Sequence, residues 1–133
     1  MSILFDTNVI LDIALARKPF AIESLEAFEK AQKADAPLIA PHSLATIYYL
    51  LASAMDAKTA FAWTEDLIEI SEIARFDHEG ALQALQCTSN DFEDGMVIAA
   101  AVMSGAESIV TRNGHDFTIC PLPIYTPAEF LHG

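Results

Sequence analysis

Short apolar runs that alternate with helix-patterned stretches constrain the fold of this chain more than any other feature. Ser2-Ile3-Leu4-Phe5 stops at Asp6-Thr7-Asn8, three residues that favour helix caps, and Val9-Ile10-Leu11-Asp12-Ile13-Ala14-Leu15 then resumes. That pattern is a buried strand running directly into a helix. After Pro19, Ile22, Leu25, Phe28 and Ala31 recur at helical spacing, with Glu23, Glu26, Glu29, Lys30 and Lys33 on the other side, so a half-exposed helix follows. Leu38-Ile39-Ala40 lies between two prolines and has strand length, and residues 43–55 read as an apolar helix rich in Ala, Leu and Tyr. Asp56 caps the next helix. A third strand is expected within residues 70–76, and a helix from Asp77 to about Gln86. Ser89-Asn90 is a cap signal for a helix over 91–104, which ends at Gly105 as helix C-termini commonly do. Ser108-Ile109-Val110-Thr111 is the fourth strand, residues 112–116 a polar loop, and Thr126-Pro127-Ala128-Glu129 a capping box before a last short helix.

Strands alternating with helices predict a three-layer α/β/α sandwich around a central parallel sheet of four or five strands, in which function sits beyond the strands' C-terminal ends. With 133 residues and no internal repeat or linker, the chain is expected to form one domain over residues 1–133. No apolar run approaches the ~18 residues of a spanning helix, and no charged, apolar, small-residue leader opens the sequence. A soluble cytoplasmic protein is expected. Cys87 and Cys120 lie far apart and read as buried thiols in a reducing compartment.

Nineteen acids against seven bases give a formal net charge of −12, which argues against sequence-blind electrostatic binding of nucleic acid. The placement of the acids is informative. Asp6 lies at the end of the first strand, Asp91 and Asp94 are three residues apart in the first turn of one helix, and Asn113 and Asp116 follow the fourth strand. In a parallel sheet the first and fourth strands end at the same edge, so these groups can share one pocket. Oxygen donors without nearby His or Cys suit Mg²⁺ or Mn²⁺ rather than zinc. Taken singly, Asp6 also suits a helix cap, Asp91 and Asp94 the helix dipole, and Asp116 a solvated loop. Asp94, however, begins Gly95-Met96-Val97-Ile98-Ala99-Ala100-Ala101-Val102, a strongly apolar stretch beside which an unpaired charge is costly. His42, His78, His115 and His132 are unclustered, and of these only His115 lies beside the expected site.

Three ordered motifs carry a resemblance. Phe5-Asp6-Thr7-Asn8, then Asp91-Phe92-Glu93-Asp94 with Ala99-Ala100-Ala101, then Val110-Thr111-Arg112-Asn113 with Asp116-Phe117 resemble the PIN domain family, which includes the VapC-type toxin ribonucleases, from about residue 3 to residue 130. The resemblance implies a metal-dependent endoribonuclease acting on RNA, with Asp6 and Asp94 as metal-binding aspartates and Asn113 or Asp116 at the last acidic or amide position. Asp91 is a further catalytic acid in this reading, and Thr7, Asn8 and Thr111 are supporting polar groups. It also implies a small antitoxin partner. One departure stands out: many relatives carry a glutamate on the helix after the second strand, where Pro41-His42-Ser43-Leu44-Ala45-Thr46-Ile47-Tyr48-Tyr49 has no acid and Thr46 is near the expected place. Arg112, Arg17 and Lys18 are candidate phosphate contacts.

Two other readings compete. Asp6-Thr7-Asn8 after a first strand also resembles the start of aspartyl-phosphate folds, but those need a lysine late in the chain and the last one here is Lys58. A catalytically weak or inactive module for nucleic-acid or protein interaction is the alternative that the missing glutamate favours. Tyr48, Tyr49, Leu50, Leu51, Phe61 and Trp63 exceed what one small core hides, so a homodimer is expected.

Overall fold

The structure, a computed structural model, describes residues 2–87, 91–117 and 120–133, with the backbone alone for Asp116. Its elements run β1 (Ile3–Phe5), α1 (Thr7–Ala14), α2 (Ala21–Ala34), β2 (Leu38–Ile39), α3 (Pro41–Ala54), α4 (Ala57–Ile70) and β3 (Glu72–Ile73). Then follow α5 (His78–Cys87), α6 (Phe92–Met103), β4 (Ser108–Val110), a 3-10 turn (Gly114–Asp116), β5 (Ile124–Tyr125) and α7 (Pro127–His132). The five strands form one sheet in the order β3-β2-β1-β4-β5, and every pairing is parallel. This is the expected α/β sandwich.

The reason for near-continuous apolarity in the central strands is visible in their side chains. Ile3, Phe5 and Val110 pack into a core with α1, α2, α3 and α4, whereas the alternate residues Leu4 and Ile109 pack into a second core with Val97, Ile98, Ala100 and Ala101 of α6. Both faces of the sheet are therefore dry, and each fully buried Leu, Ile or Phe contributes roughly 1.5–3 kcal/mol. The run of small alanines on α6 lets that helix lie close against the sheet.

Local signals decide the element ends. Asp56 accepts a hydrogen bond from the Thr59 N–H at 2.7 Å, and Thr126 and Glu129 complete the reciprocal capping box of α7. Gly105 closes α6 with φ +68, while the Ala106 N–H reaches back to the Ala101 carbonyl at 2.9 Å. Three boundaries differ from expectation. Helix α3 starts two residues early, at Pro41, whose fixed φ suits a first helical turn. The N-cap of α6 is Asp91 itself, and the Ser89-Asn90 cap expected there lies outside the described residues. The loop after β4 contains a 3-10 turn, and the stretch between Pro123 and Pro127 supplies a fifth strand.

Strand β1 lies between β2 on one side and β4 on the other, so the chain changes direction across the sheet at this strand. A crevice opens at such a switch point, beyond the carboxyl ends of the two strands.

Candidate active site

Asp6 follows β1 at that crevice and is 6% exposed. Its backbone N–H donates to the Val110 carbonyl at 3.0 Å, so the strand pairing itself fixes where the side chain starts. One carboxylate oxygen accepts from the Thr7 N–H at 2.8 Å, and the other from the Thr111 hydroxyl at 2.8 Å and the Asn8 amide at 3.4 Å. Asp6 is thus both the N-cap of α1 and the link between β1 and β4. Thr111 is fully buried, and its oxygen also accepts from the Asn8 amide at 3.3 Å and the Asn113 N–H at 3.1 Å. The Arg112 N–H donates to the Asn8 side-chain oxygen at 3.3 Å, which closes the network across the strand ends. Every supporting hydroxyl and amide here has a defined partner, so the carboxylate has little rotational freedom.

The electrostatics of Asp6 are adverse. Burial raises its pKa above the ordinary carboxylate value; the Thr111 and Thr7 hydrogen bonds pull it down, and the Glu93 and Asp91 carboxylates push it up again. Helix α6 therefore delivers its first turn to Asp6, as the motif spacing anticipated. The residue on that turn that acts most on Asp6 is Glu93, which sequence reasoning passed over inside the Asp91-Phe92-Glu93-Asp94 quartet. Asp91 is exposed and accepts from the Glu93 N–H at 2.9 Å, the act of a helix cap. Asp94 is half-buried in the same turn.

Helix α3 forms the neighbouring wall. The Thr7 hydroxyl donates to the buried Ser43 hydroxyl at 2.7 Å, tying the first turn of α3 to that of α1. Thr46 donates its hydroxyl to the His42 carbonyl one turn back, at 3.1 Å, and makes no bond to Asp6. His42 lies in the first turn of this wall; burial lowers the pKa of its imidazole, and the Glu93 carboxylate, which also acts on Asp6, raises it. A lone histidine at the start of a helix carries no local pattern that would have announced this.

Asn113 is exposed and precedes the 3-10 turn, with no side-chain capping bond. Asp116 ends that turn, and its side chain lies outside the description. Arg112 turns away toward α1. Its guanidinium donates to the two oxygens of Asp12 at 2.5 and 3.2 Å and lies 4.0 Å over the Phe20 ring. Asp12 is fully buried, with Arg17 a second cation at 3.7 Å, while Lys18 is exposed. Sequence reasoning missed this anchor, although an aspartate inside an apolar helix run is a signal that a cation must come to it.

Among the described residues, no three His, Cys, Asp or Glu side chains converge closely enough to hold an ion between them. The donor chemistry still fits a hard divalent ion: a buried carboxylate whose charge is opposed by burial and by two further carboxylates is relieved by a cation.

A family model described as PIN domain matches residues 2–115. No curated protein sequence matches the chain. Solved structures do. The VapBC2 complex of Rickettsia felis, bound to a DNA fragment from its promoter, contains a chain with TM-score 0.75 at 16% identity, covering 95% of this chain and 98% of that one. A toxin–antitoxin complex from Klebsiella pneumoniae gives 0.72 at 22%, covering 93% and 96%, and DNA-bound VapBC from Salmonella typhimurium 0.72 at 20%, covering 96% and 98%. At these identities the likeness shows a shared fold.

Proposed function

Since the chain belongs to the PIN domain family, we propose that it is a divalent-metal-dependent endoribonuclease and the toxin of a toxin–antitoxin pair. The observation that carries this reading is the buried Asp6 carboxylate, aimed by Thr111 and Thr7 into the β1/β4 crevice and facing the acids of α6. A bound Mg²⁺ or Mn²⁺ would supply positive charge to a phosphodiester oxygen and acidity to an attacking water. The chain's own residues do the rest. Asp6 and Asp94 are the ligands, and Asp116 or Asn113 contributes a direct or water-mediated oxygen. Asp91 caps α6 and adds negative potential, and Thr7, Asn8 and Thr111 hold Asp6 in orientation. Arg112 keeps its guanidinium on Asp12 and Phe20, so a phosphate contact from it requires leaving that pair.

A net charge of −12 opposes approach of RNA, so substrate must meet the protein where an ion offsets that charge. The same charge suits a small antitoxin with a basic segment, and the structural neighbours come from toxin–antitoxin complexes. Tyr49 and Phe61 remain 73% and 65% exposed beside a groove between α3 and α4, which supports a homodimer. No described helix is long and apolar enough to cross a membrane, and both cysteines are free thiols, which supports a cytoplasmic setting.

The second reading, an interaction module of weak or no activity, is favoured by one observation. Thr46 provides no acid on α3, and its hydroxyl is bound within its own helix. Purified protein incubated with single-stranded RNA decides between them. Cleavage that needs Mg²⁺ or Mn²⁺, stops with chelator and is abolished by Asp94→Asn is expected; intact RNA under all these conditions would leave the module.

A further inference from the structure

Asn8 and Asp12 stand four residues apart on α1, so they share one face of the helix whose N-cap is Asp6. Arg112 spans that face. Its backbone N–H donates to the Asn8 side-chain oxygen at 3.3 Å, and its guanidinium donates to both oxygens of the fully buried Asp12, at 2.5 and 3.2 Å. The effect reaches Asp6 through the donors and acceptors in between. With its oxygen accepting from Arg112, the Asn8 amide presents its NH2 group to Asp6 and to Thr111, 3.4 and 3.3 Å away. The Thr111 oxygen accepts from that NH2 and from the Asn113 N–H at 3.1 Å, so both lone pairs are occupied and its one proton goes to Asp6, 2.8 Å away. These bonds depend on where the backbone of residues 111–113 lies, and the Arg112 side chain ties that backbone to α1 one turn beyond Asn8.

Building on the metal-dependent reading above, we propose that Asp12 is a positioning residue of the site. Gripping Arg112, it sets the backbone of residues 111–113 against α1 and, through Asn8 and Thr111, the orientation of the Asp6 carboxylate toward the ion. Asp12 touches neither ion nor substrate in this role. Net stability is not what the pair supplies, since exchanging a buried ion pair for apolar side chains of similar volume is often neutral or better. A bidentate fork instead fixes distance and angle, which an apolar contact leaves free.

The test compares the full chain with the double variant Asp12→Leu, Arg112→Met, in which both charges leave together, and with Asp56→Ala, which removes only the cap of α4. Three quantities are read: the melting temperature, Mn²⁺ affinity by electron paramagnetic resonance without RNA, and, in chelator, solvent exchange of the Asn8 amide and Thr111 hydroxyl protons by nuclear magnetic resonance. The double variant should melt near the parent, bind Mn²⁺ about tenfold more weakly, as expected for an outer-shell partner, and exchange those protons several-fold faster. Asp56→Ala should melt lower with both site readouts unchanged. A merely structural pair would return the site together with the stability, so a double variant that matches the parent in Mn²⁺ affinity and proton exchange overturns the proposal. Should the double variant not fold, Asp12→Asn keeps the side chain's shape but not its charge, and the same outcomes are read on it. A parent chain that binds no Mn²⁺ removes the nuclease reading, and the exchange measurement, which needs no metal, still decides whether Asp12 sets the geometry at Asp6.

Discussion

At the scale of single residues, the molecule concentrates its tension on Asp6. Its carboxyl has a folded pKa above the ordinary value, so the stability it contributes is complete in acid and is lost as pH rises through the raised value. In chelator, Asp6→Asn should therefore melt at or above the parent temperature at pH 7. That advantage should shrink as pH falls toward the ordinary carboxylate range. A neutral-pH loss beyond about 1 kcal/mol in calorimetry would mean that its capping of α1 outweighs the burial of its charge. Asp12 is also buried, but its charge is matched by Arg112. Arg112→Met should cost about 3 kcal/mol in urea unfolding, near the lower end for a broken buried pair because Arg17 is still at hand. Adding Asp12→Leu should return much of that loss. Asp6, Thr7 and Thr111 were legible in the sequence because each is a polar residue at the end of an apolar run. Asp12, Glu93 and His42 were not, since their partners come from residues up to a hundred positions away and leave no mark on the local pattern.

At the scale of elements, the caps were the most legible feature, because a cap is a bond between neighbours in sequence. Asp56, Thr126 with Glu129, and Gly105 all act where their residue types suggested. Gly105→Ala tests this directly: the added Cβ meets nothing within 4 Å, so the whole cost is backbone strain at φ +68, about 1 kcal/mol by thermal unfolding. Thr126→Ala should cost about the same through loss of the capping box that seats α7. The edge strands were harder to read. Strand β3 consists of two exposed residues, Glu72 and Ile73, and β5 of two residues between prolines and a cap, so neither carries a hydrophobic signature of its own. They are strands because β2 and β4 offer them free edges.

At the scale of the whole molecule, the alternation of strand and helix was enough to predict a parallel sheet. The apolar surplus around α3 and α4 divides on folding: Leu51 and Trp63 join the core, and Tyr49, Leu50 and Phe61 stay exposed. A homodimer by light scattering at micromolar concentration is expected, and Tyr49→Glu with Phe61→Glu should yield a monomer that still melts cooperatively. The sheet order has one more consequence, and it concerns synthesis. The central strand is the first of the five to leave the ribosome, yet the hydroxyl that orients its aspartate comes 105 residues later. Contacts so distant in sequence form late in folding. A chain that stalls, or is cut short before β4, holds Asp6 without the Thr111 hydroxyl that aims it. On the nuclease reading proposed above, the message being read is then safe from its own unfinished product.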